Sequence, residues 1–512
     1  MKENPAASTL PRSDTPTLRR ARRPLAALAL FLAAARIAAA APSPRLDPDR
    51  LQAIAGHAAQ ALQSGLPGAV VFAGTRDGVV FRAAYGNRQV APVAVKMELD
   101  TIFDMASCSK AVGATTGLML MVEDGKISLD DPVSKWIPKF TGGGKEAIRI
   151  RDLATHTSGL PSYTGSGDLL KQYGPGGNPD ALIDRICGLN LEYATGKKWL
   201  YSCLNFITTA RCVENAAGKC LHDLDTERVY GPLGMKDTGY RLSRDQLRRA
   251  APTRANGILT AEGKVPESVG AGPFVKDLIH DPLAHFYTNA EHCSGNAGLF
   301  ATAPDLAIFL QMLVNRGTYR GKRVLKAATI DLFTRVQTPD GVGSTFGYGW
   351  DTCTGGTFCP KPGVPPDQLA VCHTGYTGTF VWADKNSGIW TTILTNRVHP
   401  ADTAGPSRAV GALRAAVVRT VIDACEAYNP AVAEAFTKKP APAPAPAGAG
   451  GDMPGENEEA DRLLSRARNY RSSRLIGKAE AAYREVVAKF PGTPQAKEAA
   501  QALSELDAAG PR

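Results

Sequence analysis

Apolar residues recur every three or four positions from Asp47 to Gly65, DPDRLQAIAGHAAQALQSG, and the run stops at a glycine, which predicts an amphipathic helix. Two β-rich runs follow, GAVVFAG and GVVFRAAYG, separated by TRDG, and together they predict an antiparallel hairpin. A further β-rich run, GIWTTILTN, begins only at Gly388 and leads into a helical pattern, SRAVGALRAAVVRTVIDACEAY. Helical patterns and loops fill most of the chain between. The expected class is α+β: an antiparallel sheet built from strands at both ends of the domain, flanked by helices, with a mostly helical insertion.

The ends of the chain have different patterns. TLRRARRPLAALALFLAAARIAAAAPSPRLDP places arginines before an apolar run from Leu25 to Ala35 and small residues near Ala41, so residues 1–41 read as a secretory signal peptide. The run is too short to cross a bilayer comfortably and Arg36 interrupts it, so no stable membrane anchor is expected after cleavage. The expected location is periplasmic or secreted. Residues 42–437 read as the main domain and 438–455, rich in Pro, Ala and Gly, as a linker that cannot bury anything. Residues 456–512 predict three short helices, broken near Arg474 and at Pro491. Their stretch GKAEAAYREVVAKFPGTPQAKEAAQAL resembles a tetratricopeptide-type repeat. One and a half repeats fall short of the three or so needed alone, so the segment reads equally as one that docks on the main domain or on a protein partner and as a helical appendage with no specific partner.

Charge changes the picture little. The net charge is +10, but residues 1–41 carry seven Lys/Arg against two Asp/Glu, which is half of it. The remainder, spread over so long a chain, is a solvated surface, and no nucleic-acid partner is expected. The ten cysteines of an exported chain predict disulfides. Their pairing does not follow from spacing, although Cys353 and Cys359 across CTGGTFC form a local candidate.

Candidate chemistry centres on FDMASCSKAVGATTGLML, which contains the only Ser-x-x-Lys of the chain, Ser107 and Lys110. Three residues apart on a helix, the hydroxyl and the amine share a face. An amine acting as a base near pH 7 must fall roughly three units from about 10.4, which requires about 4 kcal/mol of destabilisation of the ammonium. The apolar surroundings predict the burial that would supply it. GKKWLYSCLNFITTA adds Tyr201 in a loop before an apolar helix, and VCHTGYTGTFVWAD adds His373, Thr374 and Gly375 at the start of a β-hairpin, where the glycine would let substrate approach the strand edge. A nucleophile, a proton acceptor and backbone N–H donors are the parts acyl transfer needs.

In this order SCSK, YSCLN and HTG resemble the Ser-x-x-Lys, Tyr-x-Asn and Lys/His-Thr-Gly motifs of the serine β-lactamase and penicillin-binding-protein superfamily, nearest to the class C-like serine hydrolases. LATHTSGLP, YGPLGMKDTGY, AGLFATAPDLAIFLQML, FGYGWD and LTNRVHP extend the resemblance from about Gly68 to Pro400. It implies a β-lactamase/transpeptidase-like fold with Ser107 as nucleophile, Lys110 as its activating amine and Tyr201 exchanging protons. The backbone N–H groups of Ser107 and Tyr376 would form the oxyanion hole, with His373, Thr374 and Gly375 on the strand side of the pocket. Two positions depart from the pattern. Cys203 stands where the Tyr-x-Asn motif has a carboxamide, with Asn205 a stand-in of different helical phase. His373 stands where many penicillin-active members have lysine, and a neutral imidazole would hold a substrate carboxylate less firmly.

The implied function is an exported serine hydrolase acting on an ester or a D-amino-acid, peptidoglycan-like amide. A β-lactamase or penicillin-binding DD-peptidase is the alternative within enzymes, and an inactive binding protein with a partner-recruiting tail the alternative outside them. Ser158 in THTSGLP lacks a Gly-x-Ser-x-Gly elbow and reads as structural. His280, Asp281, His285, His292 and Cys293 match no closed zinc spacing, so neither a metal nor a cofactor is expected.

Overall fold

A computed structural model describes residues 43–174, 177–254, 258–260, 264–265, 278–354, 358–360, 369–438, 460, 463–464, 467 and 476–508. The expected signal peptide, residues 1–41, and nearly all of the expected linker, 438–455, lie outside the described residues. The chain divides into two compact units between Ala433 and Glu434.

The larger unit is built on one seven-stranded antiparallel sheet. Its strands are β1 (Gly68–Gly74), β2 (Val79–Gln89), β3 (Val95–Lys96), β4 (Asp351–Thr352), β5 (Val371–Thr374), β6 (Phe380–Asp384) and β7 (Ile389–Thr395), in the order β3-β2-β1-β7-β6-β5-β4. The expected hairpin is β1 with β2, and β1 then pairs with β7 from Ala69 opposite Thr395 to Gly74 opposite Trp390. The first and last strands thus meet at the centre of the sheet. Successive side chains of a strand face opposite sides. Val70 and Phe72 of β1 and Trp390 and Leu394 of β7 enter one core, while Ala69, Val71, Ala73, Ile389 and Ile393 enter the other. With both faces covered, these strands are buried along their whole length and show no polar–apolar alternation.

One face is covered by α1 (Ala53–Gln63) and α5 (Ala404–Asp423), through Ile54, Ala61, Leu413, Val417 and Val421. On the other lie α2 (Thr115–Glu123), α3 (Cys203–Ala217) and α4 (Ala303–Val314), through Leu118, Leu120, Phe206, Val213, Leu306 and Phe309. Each such large side chain, fully buried, contributes roughly 1.5–3 kcal/mol of transfer free energy. Residues Lys110–Ala114, just before α2, form a single π turn, a geometry that recurs at functional sites. The ladder of Phe103–Asp104 with Phe300–Ala301 brings the chain to that turn.

The smaller unit contains α6 (Ile476–Lys489) and α7 (Pro494–Ala508), joined across Pro491 and Gly492, the latter at φ +87° where a side chain would be strained. Ala479, Tyr483, Val486, Ala499 and Ala502 share a core with the helical residues Ala460, Leu463, Leu464 and Ala467. Among the described residues no helix is long and apolar enough to cross a membrane.

The expected Cys353–Cys359 bridge is absent: Cys353 carries a free thiol, hydrogen-bonded to Cys372 on the same face of the β4–β5 ladder.

Candidate active site

Ser107 is the last residue of a strained turn, not a member of a regular helix. Ala106 is held at φ +45°, in the left-handed region that β-carbon sterics disfavour. Asp104 holds it there, accepting the Ala106 N–H on Oδ1 at 2.8 Å and the His280 N–H on Oδ2 at 2.8 Å. Burial pushes that carboxyl up to about 6. The chain then winds through Cys108 and Ser109 into the π turn, so that Lys110 comes to lie beside Ser107.

Lys110 is fully buried and donates to Ser107 Oγ at 3.0 Å, to the Asn296 carbonyl at 2.9 Å and to Cys203 Sγ at 3.6 Å, with Tyr201 a further hydrogen-bond partner. Such a shell of acceptors suits an ammonium. Here the structure corrects the expectation of a neutral amine. Burial does depress the pKa, but Cys203, Tyr201 and Asp281 together outweigh it, and Lys110 ends above its ordinary value. Desolvation likewise raises Tyr201, which is hydrogen-bonded to both Lys110 and Ser107. At rest the cluster therefore holds a phenol and an ammonium.

Tyr201 precedes α3, as the sequence predicts, and its ring is wedged by neighbours: His156 at 4.6 Å between centroids, His373 at 6.2 Å and the Lys110 ammonium at 5.0 Å. Sequence reasoning passed over His156. It is fully buried at φ +60°, its Nδ1 accepts the Ser202 N–H at 3.1 Å and the Asn205 amide at 3.2 Å, and burial holds it well below the usual imidazole range. It is a neutral prop for the Tyr201 loop. Asn205 is accordingly turned inward: fully buried, it bonds His156 and accepts the Ser158 hydroxyl at 2.6 Å, so it does not replace the missing carboxamide. Cys203, two positions earlier, is the residue that reaches Lys110.

The strand side closes against the nucleophile turn. Thr377 donates to the Asp104 carbonyl and Thr379 to the Met105 carbonyl, both at 2.8 Å, while Arg414 donates to the carbonyls of Gly375 and Thr379 at 2.9 and 2.8 Å. Gly375 serves this closure. A Cβ there would lie 2.0 Å from Thr379 Oγ1 and 2.6 Å from the Met105 carbonyl. Gly375→Ala is therefore expected to cost about 1–3 kcal/mol, the usual range for overpacking, and to lower activity with it. Denaturant unfolding beside a rate measurement checks this, and unchanged values in both would refute it.

Thr374 and Tyr376 are exposed, whereas His373 is only 4% exposed. Burial and the Lys110 charge lower His373 to about 3. It is a neutral wall beside Tyr201, not a cationic anchor. Among the described residues no acceptor takes the backbone N–H of Ser107 or Tyr376. The Tyr376 ring lies under Arg397 at 4.3 Å and stacks on His280 at 5.4 Å, and its hydroxyl donates to Asp402 at 2.7 Å. Asp281, the cap of the helix Pro282–Tyr287, accepts from Tyr163 at 3.2 Å and from Asn296 at 3.0 Å. The histidines weighed as a metal set are engaged separately: His280 with Tyr376 and His292 with Glu214. A cavity of about 680 Å³ beside Asp351 and Cys353 has none of Ser107, Lys110 or Tyr201 in its lining, so the chemistry identifies the site and cavity size does not.

Comparison with known proteins bears on the family and the fold. The family model described as Beta-lactamase matches residues 50–415. The chain is 30% identical over 362 residues to the N-acetylmuramyl-L-alanine amidase of Bacillus subtilis (strain 168), covering 66% of this chain and 79% of that protein. It is 28% identical over 371 residues, 69% and 83% of the two chains, to a protein of Escherichia coli (strain K12) provisionally described as a D-alanyl-D-alanine carboxypeptidase. Among solved structures, EstCE1, a hydrolase with promiscuous acyltransferase activity, superimposes with a TM-score of 0.56 at 23% identity, covering 73% and 99%. A class C beta lactamase superimposes with a TM-score of 0.55 at 16% identity, covering 74% and 99%. These two likenesses bear on the fold.

Proposed function

Because this chain belongs to the beta-lactamase family, as a serine hydrolase of the β-lactamase/penicillin-binding-protein type, we propose that it is an exported enzyme that acylates Ser107 with an ester or a D-amino-acid, peptidoglycan-like amide and then releases the acyl group to water. The observation that carries the reading is the Ser107 Oγ to Lys110 Nζ contact of 3.0 Å inside a buried cluster that includes Tyr201. The amidase and carboxypeptidase names of the relatives favour the amide side.

Ser107 Oγ attacks the carbonyl carbon as its proton passes into the Tyr201–Lys110 pair. The negative charge that develops on the carbonyl oxygen is received by the backbone N–H groups of Ser107 and Tyr376. The pair returns the proton to the leaving oxygen or nitrogen, and water later repeats the sequence in reverse. Neutral His373 supplies no cation for a substrate carboxylate, and Cys203 supplies no carboxamide for a substrate amide. β-Lactam turnover is accordingly expected to be poor.

Because Lys110 and Tyr201 are both raised, both hold protons at pH 7, and one proton must leave the pair before it can accept that of Ser107. The expected pH profile of kcat/KM rises above pH 7, by up to about tenfold per unit. A profile on a non-ionising ester checks the sign, and a rate that falls between pH 7 and 9 with the protein still folded would reject this assignment. The reading itself is tested with three substrates, a p-nitrophenyl ester, an acylated D-Ala-D-Ala peptide and a penicillin. Turnover of the first or second with little of the third supports it. Efficient turnover of penicillin alone would overturn it in favour of a β-lactamase. The tail, residues 456–512, is proposed to recruit a protein partner through its repeat-like helices.

A further inference from the structure

Apart from the reacting cluster, two thiols face each other at the edge of the helical layer. Cys293 Sγ lies 3.9 Å from Cys220 Sγ, with Cys293 fully buried and Cys220 4% exposed. The segments that carry them are already held together by one buried carboxylate. Glu214 on α3 accepts the Leu221 N–H at 3.1 Å and the Cys293 N–H at 2.7 Å on Oε1, and meets His292 Nδ1 at 2.8 Å on Oε2. Arg241 adds a further clamp, donating to Cys220 Sγ at 3.5 Å and to the Ala290 carbonyl at 3.1 Å. A bond requires the two sulfurs to close from 3.9 Å to roughly 2.05 Å.

We propose that Cys220 and Cys293 close into a disulfide by exchange with a disulfide-bearing oxidant, tying residues 288–296 to the corner between α3 and the helix Leu221–Asp225. Cys220 is the entry point. It lines a cleft of about 540 Å³ together with Asp223, Lys219, Glu291 and His292, whereas Cys293 lines no part of it. The hydrogen bond from Cys293 also lowers the Cys220 pKa, while burial raises that of Cys293 well above the usual thiol range. The Cys220 thiolate attacks the oxidant's disulfide and expels one thiolate. Cys293 then attacks the Cys220 sulfur of the mixed disulfide, its proton goes to solvent or the leaving group, and the second thiol departs. Two protein thiols are oxidised and one external disulfide is reduced to two thiols.

A second thiol contact joins Cys353 to Cys372 at the β4–β5 ladder, and it serves as the control pair. The Cys220–Cys293 bridge also has a place in the site: the segment it fixes ends at Asn296, whose carbonyl accepts from Lys110 and whose amide donates to Asp281.

The test uses the full chain incubated with oxidised glutathione, alkylated under denaturing, non-reducing conditions and mapped by mass. The expected product is a peptide pair joined through Cys220 and Cys293, lighter by two hydrogens than the dithiol. In Cys293→Ser a glutathione adduct should accumulate on Cys220. The oxidised protein should melt at least about 5 °C above the reduced one. Cys220→Ser should abolish that difference and Cys353→Ser should keep it. Recovery of both peptides as alkylated thiols, or linkage of either to a different cysteine, would overturn the proposal, as would a melting difference that survives Cys220→Ser.

Discussion

Ser107→Ala is expected to abolish covalent labelling by a fluorophosphonate serine probe and to lower kcat by about 10⁴-fold or more on any substrate the enzyme turns over. The reason lies in the geometry around Oγ, which receives a hydrogen bond from an ammonium at 3.0 Å and contacts Tyr201. The turn beneath it keeps Ala106 in a left-handed conformation, held there by Asp104. The methyl group of alanine fits the same turn, so melting should shift little. Intact mass before and after probe treatment, with peptide mapping of any adduct, provides the measurement. Labelling that persists at Ser158 would overturn the assignment. That hydroxyl is 1% exposed and donates to Asn205, so no probe should reach it.

Lys110→Met is expected to lower the acylation rate by about 10³-fold, the middle of what general acid–base groups supply. Methionine has similar length and buries well, but it donates nothing to Ser107, Tyr201 or the Asn296 carbonyl. Removing a buried charge offsets part of the stability cost. The Asn296 carbonyl left unpaired costs about 1–3 kcal/mol. A folded protein with a modestly lower melting temperature is therefore expected. Single-turnover acylation by an activated ester, beside circular dichroism, separates the chemical loss from unfolding. Acylation within a factor of ten of wild type would place the activating group elsewhere. Lys110→Arg should not rescue the rate, because a guanidinium cannot give up a proton in this pH range.

Much of the scaffold was legible in the residue order. GAVVFAG and GIWTTILTN are β-rich runs without polar–apolar alternation because both faces of β1 and β7 are covered, and that pattern marks a central strand wherever its partners come from in the chain. Ser107, Lys110 and Tyr201 were likewise readable, since spacing and residue type are local properties. Asp104, His156, Asn296 and Asp281 were not singled out for roles beside the nucleophile. They act through backbone atoms or across long separations, as in the Lys110 contact with the carbonyl of Asn296, and a carbonyl has no residue signature.

The charge on Lys110 shows the same division. Apolar neighbours in sequence argue for desolvation and a lowered pKa, and desolvation is indeed present. The opposing partners, Cys203 on α3 and Asp281 at a helix cap, are brought in by tertiary packing. Gly375 was readable as a close approach, but only the fold shows that the approaching group is the Met105 carbonyl. The chain's own order determined that a serine and a lysine share a buried turn ahead of a tyrosine and an edge-forming hairpin, because helical and strand periodicities are set by backbone geometry. Which groups face that lysine, how many protons the cluster holds and which thiols meet were decided only by tertiary structure, because electrostatics and covalent pairing depend on distance in space rather than on distance along the chain.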